Sequence, residues 1–151
     1  MKEDKKYYTP SIDEFYIGFG YERIHELKHY NDTWKSVEVT HKDNTFMRFV
    51  DDLQDNRLRV KYLDKEDIES LGWTFEKQHP GLEDISFSID QVIDTCNMEP
   101  EISSSYLDYD PESKYLRISW IGDGDTTRFS GTIKNKSELK KLMKQLGIDE
   151  Q

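Results

Sequence analysis

Hydrophobic positions near the end of the chain recur at helical spacing. Four apolar residues lie three or four positions apart and would line one side of a helix: Leu139, Leu142, Met143 and Leu146. Asn135 precedes them as a candidate N-cap, and Glu138 follows three residues later, as in a capping box. Gly147 suits the left-handed conformation that ends many helices. The pattern predicts a helix between Asn135 and Gly147.

Alternating apolar and polar residues elsewhere predict strands. These segments are 14–23, 33–41, 57–63, 72–77, 101–109, 114–121 and 126–134. Two further short helices are predicted at 45–55 and 64–71, the second with Asp64 as its N-cap and Gly72 as its stop. The segment 78–100 is ambiguous, because ISFSI alternates like a strand whereas SIDQVIDTCN suits a helical turn equally well.

Together these elements predict an α+β fold. A mainly antiparallel sheet of about six to eight strands would carry two or three short helices on one face, with the C-terminal helix closing the fold. The 151 residues are about enough for one domain, which we place at 10–148. Residues 1–9 are largely charged and precede Pro10, so we predict a flexible N-terminal arm.

Composition suggests which residues must fill the core. Hydrophobic residues make up only 34% of the chain, whereas aromatic residues reach 13%. Large rings must therefore supply much of the buried area, and any aromatic residues left exposed would form a contact patch.

Charge and cysteine content limit the partners and the compartment. The 21 basic and 31 acidic residues give a formal charge of −10, which disfavours direct binding to nucleic-acid phosphates. Such a charge suits a basic protein partner, or simply keeps the chain in solution. The single cysteine, Cys96, excludes an internal disulfide, and no apolar run resembles a signal peptide or a bilayer span. We expect a cytoplasmic protein without a membrane partner.

Three segments carry a resemblance to other proteins. They are YTPSIDEFYIGF at 8–19, VKYLDKEDIESLGW at 60–73 and FSGTIKNKSEL at 129–139. With these segments the chain resembles a group of small uncharacterised proteins of gut-bacterial bacteriophages and related mobile elements. The resemblance implies a phage or mobile-element origin, in the bacterial host cell or in the virion, but no catalytic residues. Those proteins usually carry a glutamate where this chain has Gly20.

The segment HELKH matches the H-E-x-x-H pattern of zinc metallopeptidases through His25, Glu26 and His29. On a helix the two histidines would hold Zn²⁺ together, and Glu26 would activate the bound water. The segment continues a strand pattern, however, and in a strand His25 and His29 would lie about 13 Å apart, too far to share one ion. We therefore assign no catalytic or metal-binding residue, and zinc hydrolysis by this segment remains an alternative.

An acidic cluster on the helix predicted at 45–55 allows two interpretations. Asp51, Asp52 and Asp55 fall on its polar side, near Arg57 and Arg59. A solvated helix face is the usual meaning of such a pattern. The sharper hypothesis is an acidic stripe that imitates a nucleic-acid duplex.

The sequence favours a non-enzymatic protein. We predict a phage or mobile-element accessory protein that binds another macromolecule, with a protein as the expected partner. It would act as a modulator of a host factor or as a virion-associated component, and it would need no cofactor. The alternatives are the zinc-dependent hydrolase and a sponge for a small ligand or nucleotide. The pattern assigns neither the protein-binding residues nor the oligomeric state.

Overall fold

The computed structural model describes residues 6–24, 33–40, 46–78, 80–81, 84–93, 101–121 and 125–148. Contacts group the chain into two compact units. The first unit is Met1–Tyr62 with Asn135–Ser137, and the second is Leu63–Lys134 with Glu138–Gln151.

The first unit is built on a four-stranded antiparallel sheet. Its strands are β1 (Tyr7–Tyr8), β2 (Gly20–Ile24), β3 (Trp34–Glu38) and β4 (Leu58–Lys61). They lie in the order β1-β4-β2-β3, and helix α1 (Phe46–Gln54) precedes β4 in the chain. Tyr7 and Tyr8, which the sequence placed in the predicted arm, pair with Lys61 and Val60. The sheet therefore begins before Pro10.

The core of the first unit follows from the alternation along these strands. Leu58 and Val60 point to the same side of β4, and both are buried because they pack with Phe19, Tyr21 and Val39. The rings of Phe15 and Phe19 meet at 5.1 Å between centroids, so aromatic residues supply much of this small core.

A buried ion pair joins the sheet of the first unit to α1. The Arg23 guanidinium lies 2.7 Å from a carboxylate oxygen of Asp52, and the two side chains are only 15% and 6% exposed. The backbone carbonyl of Asp52 also accepts a hydrogen bond from the Arg57 amide at 2.8 Å. The expectation that Asp52 belongs to a solvated acidic face is therefore wrong, because its side chain is buried in the ion pair with Arg23.

The second unit contains a five-stranded antiparallel meander. Its strands lie in sequence order: β5 (Thr74–Gln78), β6 (Ile85–Ile93), β7 (Glu101–Tyr109), β8 (Tyr115–Ile121) and β9 (Asp125–Thr132). Helices α2 (Lys65–Ser70) and α3 (Lys136–Leu146) contribute residues to this unit, and a short 3-10 helix at Ile12–Glu14 belongs to the first unit. Within the ambiguous segment 78–100, residues 85–93 form strand β6 and pair with β7 along their full length, whereas residues 94–100 lie outside the described ranges.

One face of this sheet is packed by helix side chains. Leu139 and Met143 of α3 and Ile68 of α2 are buried against the apolar side chains that alternate along β6, β7 and β8. The sheet contributes Phe87, Ile89, Leu107, Leu116 and Ile118. We call this the inner face. The helical stripe predicted for the C-terminal helix is confirmed.

The predicted helix ends are also present. Asp64 caps α2 by accepting a hydrogen bond from the Asp67 amide at 2.9 Å. Glu138 accepts a hydrogen bond from the Lys134 amide at 2.6 Å. The predicted capping box would use the amide of Asn135, so the observed bond is made one residue earlier in the chain. Gly72 and Gly147 follow their helices with φ of +96° and +69°.

The α+β class, the antiparallel strands and the C-terminal helix are thus confirmed. The described strands number nine and divide between two sheets, of four and five strands. None of the described helices has both the length and the apolar composition required to cross a bilayer.

Tyr109 is a polar residue inside the second unit. Its side chain is fully buried, and its hydroxyl donates to the Leu63 carbonyl at 3.0 Å. Burial raises the pKa of the Tyr109 hydroxyl, and the nearby carboxylate of Asp110 adds to the effect. The phenol therefore stays protonated in the folded protein.

We expect Asp52→Asn to lower the free energy of unfolding by about 3 kcal/mol, because it leaves the buried Arg23 charge without its partner. Asp51→Asn is the matched control: Asp51 is the preceding residue of the same helix but is exposed, so its change should stay within about 0.5 kcal/mol. Urea denaturation measures both. Equal losses would contradict the role assigned to the ion pair.

We expect Tyr109→Phe to lower stability by about 1 kcal/mol at pH 7, because the Leu63 carbonyl loses its buried donor. Above pH 10, the ordinary tyrosine pKa, the unfolded wild type releases a proton that folded Tyr109 retains, so wild-type stability falls by up to about 1.4 kcal/mol per pH unit. The difference between the two proteins should therefore close by about pH 11. Denaturation at both pH values tests this, with Tyr115→Phe as an exposed control, and a pH-independent difference would contradict it.

Candidate functional site

The second face of the five-stranded sheet lies opposite the inner face, and we call it the outer face. Along β6 it carries Ser86, Ser88, Asp90 and Val92, which alternate with the core residues. Along β7 the alternation continues with Ile102, Ser104, Tyr106 and Asp108, each the Cα partner of one of those positions. Both described helices of this unit pack their apolar residues on the inner face.

Three aliphatic side chains on the outer face are exposed. Val92 and Ile102 are each 71% exposed, and Ile121 is 48% exposed. Val92 is the direct Cα partner of Ile102, whereas Ile121 pairs with Ser104, two positions further along β7. Direct and diagonal neighbours on one face are close enough for their side chains to interact. We call Val92, Ile102 and Ile121 the apolar patch.

Beside the apolar patch, a cleft of about 560 Å³ opens on the same face. Tyr106 lies in it on the central strand, and its Cα partners are Ser88 and Ser119. Charged residues of both signs also line the cleft, namely Glu76, Lys77, Asp108 and Arg117. We call it the central cleft. Most of its lining is polar, and Ile121 belongs both to this lining and to the apolar patch.

Serine hydroxyls satisfy the carboxylates of the outer face. Ser86 donates to Asp108 at 2.6 Å, and Ser104 donates to Asp90 at 2.6 Å. In both cases the donor and the acceptor are Cα partners on adjacent strands. Glu76 of β5 likewise accepts a hydrogen bond from Ser88. These bonds fix the acidic side chains without cancelling their charge.

One ion pair crosses the central cleft. Arg117 donates to Asp108 at 2.8 Å, and the Arg117 side chain is 53% exposed. The hydrogen bond to Asp108 raises the pKa of Arg117, so the guanidinium remains charged. Exposed pairs of this kind contribute about 0–1 kcal/mol to stability, and the pair chiefly sets the charge pattern of the cleft.

Both edges of the five-stranded sheet are interrupted by a charged residue. Between Phe75 and Lys77 the register shifts and leaves Glu76 as an extra residue in β5. A second shift in β9 leaves Arg128 as the extra residue, and Arg128 donates to the Leu146 carbonyl at 2.8 Å. Bulges and charges on edge strands oppose the addition of a foreign strand. The edges are therefore poorer docking sites than the outer face.

The zinc hypothesis falls outside the described residues. His25, Glu26 and His29 lie in the segment 25–32, of which nothing is described. Across the described ranges, no group of three or more His, Cys, Asp or Glu side chains is placed to hold a metal ion. Zinc hydrolysis by this segment therefore stays a prediction, and the described residues supply no ligand set for it.

The arginines predicted near the acidic cluster have separate partners. Arg57 lies 3.4 Å from Asp55. The Arg59 guanidinium lies 3.7 Å from the centre of the Tyr7 ring and 4.1 Å from that of Trp34, and its Nε is 2.6 Å from Glu22. Arg59, Tyr7 and Trp34 together form an aromatic and basic strip in the first unit. Its cation is already held by one carboxylate and two rings.

Gly20 lies in a tight contact of the first unit. Its amide donates to the Ser137 hydroxyl at 2.9 Å, and a Cβ at this position would lie 3.3 Å from the same oxygen. Any side chain here would press on Ser137. The glycine allows the close approach of the two segments, and it carries no chemical group of its own.

The apolar patch has a signal in the sequence that the strand predictions did not take into account. Val92, Ile102 and Ile121 occupy positions where the alternation of their strands calls for a polar residue. An aliphatic residue on the polar phase of a strand indicates an exposed contact position. Recognising that phase requires the pairing of β6, β7 and β8, and segment 78–100 was ambiguous from sequence.

No protein-family model, no curated protein and no solved structure matches this chain. The candidate site therefore rests on its geometry alone.

We expect Ile102→Ala to change the free energy of unfolding by less than about 0.5 kcal/mol, because its side chain is already in solvent. Leu107→Ala, five residues along the same strand but buried on the inner face, should cost about 2–5 kcal/mol. Urea denaturation of the two variants is the test. A large loss for Ile102→Ala would mean that the apolar patch serves folding.

Proposed function

We propose that this protein is a non-enzymatic accessory protein that acts by binding another protein with the outer face of its five-stranded sheet. The observation that carries this proposal is the apolar patch of Val92, Ile102 and Ile121, exposed beside the polar central cleft. Protein interfaces usually combine an apolar area with neighbouring polar groups, as this face does.

The energetics of the patch support a binding role. Fully burying an aliphatic side chain is favourable by about 1.5–3 kcal/mol, and these three side chains are half to three-quarters exposed. A partner that covered all three would gain a few kcal/mol from the patch alone. The folded chain obtains none of this stabilisation by itself, which argues that the residues are present for a contact.

The polar groups of the central cleft are better suited to orienting a bound partner than to catalysing a reaction. Its hydroxyl, carboxylate and guanidinium groups are bonded to one another through the pairs Ser86–Asp108 and Arg117–Asp108. These groups lie on an open face and also contact water. A partner that offers hydrogen bonds can therefore take the place of this water at a low cost in free energy. Tyr106 adds a large side chain of the kind enriched at interfaces.

A phage or mobile-element origin is part of this proposal and rests on the sequence resemblance alone. It leaves two forms of the function open, a modulator of a host factor and a component of the virion. Mass spectrometry of purified particles distinguishes the two forms, because only a virion component would be found there in stoichiometric amount.

A small-ligand binder is the second candidate, and the central cleft favours it. Its volume of about 560 Å³ falls within the range of about 300–1,000 Å³ that is usual for ligand pockets. A ligand held beside Tyr106 would also contact Ile121, which lines the cleft, but it would not explain the exposure of Val92 and Ile102. Contact at Ile102 therefore separates the two candidates.

We expect a photo-reactive phenylalanine analogue at Ile102 to cross-link to a partner protein in the cell that makes this chain at native level. The same analogue at Ile17 is the matched control, because Ile17 is another exposed isoleucine, 55% accessible and part of the first unit. Denaturing electrophoresis and mass spectrometry detect the product.

A discrete adduct from position 102 that is absent from position 17 supports the proposed surface. Adducts from position 17 alone, or no adduct from position 102 with full expression, would contradict it. A protein that binds only a small molecule in the central cleft would give the second result.

A further inference from the structure

The β-bulge in β5 turns two consecutive side chains toward the outer face. In a regular strand neighbouring side chains point to opposite faces, and Phe75 accordingly packs on the inner face. Glu76 is the extra residue of the bulge and Lys77 is the Cα partner of Ser86, yet both line the central cleft. Bulges often re-aim a side chain next to a binding site. Here the bulge places an anion and a cation on adjacent residues at the β5 side of the cleft.

These two charges have no counter-ion among the described residues. The Glu76 carboxylate accepts a hydrogen bond from the neutral hydroxyl of Ser88, and no ion pair of Glu76 or Lys77 occurs within the described part of the chain. The other two charged residues of the cleft, Asp108 and Arg117, are paired with each other at 2.8 Å. The cleft therefore offers one carboxylate and one ammonium group, at neighbouring positions, for a ligand of opposite charges.

Tyr106 supplies an apolar surface in the same cleft. It is half-buried on the central strand, and neither a hydrogen bond of its hydroxyl nor a contact with another ring is found in the described ranges. The strand order places Tyr106 two strands, about 10 Å, from the charged pair on β5. A ligand with a large apolar side chain would fill this distance and cover the Tyr106 ring.

The charge pattern selects among ligand classes. A phosphate would bring about two negative charges toward Glu76 and Asp108, on a chain of formal charge −10. A metal ion would need several ligands, and no group of three or more suitable side chains occurs among the described residues. A simple anion would leave Glu76 unmatched, and a simple cation would leave Lys77 unmatched. A molecule with adjacent ammonium and carboxylate groups would match both.

We propose that the central cleft binds a free α-amino acid with a large apolar side chain. The ligand carboxylate pairs with the Lys77 ammonium, its ammonium donates to the Glu76 carboxylate, and its side chain lies against Tyr106. Glu76 can keep its bond from Ser88, because a carboxylate accepts several hydrogen bonds. The inference names the ligand class of the second candidate function. It does not depend on the protein-binding function, since the cleft lining does not include Ile102.

The test titrates the whole, isotope-labelled protein with L-phenylalanine and L-leucine and follows its amide chemical shifts. Two analogues each lack one charge: N-acetyl-L-phenylalanine lacks the ammonium group, and L-phenylalaninamide lacks the carboxylate. We expect saturable shifts in β5 to β8 at concentrations of about 1–10 mM. Each analogue should bind about two- to fivefold more weakly than L-phenylalanine, because it loses one exposed ion pair.

Two variants assign the charges. Lys77→Gln should abolish the preference for L-phenylalanine over its amide. Glu76→Gln, which keeps an acceptor for Ser88, should abolish the preference over the N-acetyl form. Lys144→Gln and Glu69→Gln are the matched controls, because these exposed helix residues lie outside the cleft lining and their substitution changes the net charge equally. Both controls should keep both preferences.

The outcomes distinguish this inference from the protein-binding function. Equal binding of L-phenylalanine and both analogues, or equal changes in the controls, would overturn the assigned ligand class. No shift from either amino acid up to about 20 mM, or shifts only outside the cleft, would overturn the inference altogether. A cross-linked adduct from Ile102 without amino-acid binding leaves the protein-binding function intact. Amino-acid binding without that adduct leaves ligand binding as the function.

Discussion

One-sided burial of the five-stranded sheet is the constraint on which the arrangement of the second unit depends. Side chains of α2 and α3 fill the inner face, where Leu139 and Met143 meet the strands. Because side chains alternate strictly along a strand, every residue between two core positions must face the other way. The outer face is therefore fixed in position by the packing on the inner one. A rigid face of this kind costs a partner little ordering on binding.

The outer face combines two surfaces with different physical roles. The aliphatic patch can stabilise a complex by losing water, but it has no directional preference. The serine and carboxylate pairs, such as Ser86 with Asp108, are directional and already satisfied. Polar groups beside an apolar patch discourage non-specific association, because a wrong partner would desolvate these groups without replacing their hydrogen bonds.

The sheet edges complete this picture. Glu76 and Arg128 are the extra residues of bulges in β5 and β9, so neither edge presents an uninterrupted row of backbone donors and acceptors. Edge bulges with charged residues protect a five-stranded meander from pairing with other strands. Because these bulges block the two edges, a partner is expected to bind the outer face, where it is recognised by side chains instead of backbone groups.

Local elements were predictable because their signals are short-range. The capped helix before Gly72, the apolar stripe of α3 and the three final strands depend on residues a few positions apart, and all are present. Two expectations failed for a tertiary reason. Asp52 looked like a solvated helix residue, but the Arg23 side chain comes from a strand about thirty positions earlier and neutralises it inside the core. The sheet begins at Tyr7, earlier than predicted, because Tyr7 and Tyr8 pair with β4, which lies about fifty residues later in the chain.

The sequence by itself determined the α+β class, the helix boundaries and the acidic charge, because composition and periodicity carry them. Only the tertiary structure decided the division of the strands into two sheets and the gathering of Val92, Ile102 and Ile121 into one patch. The physical reason is register. A patch across three strands exists only when their pairing is fixed, and that pairing depends on hydrogen bonds between residues as far apart in the chain as Ile85 and Tyr109.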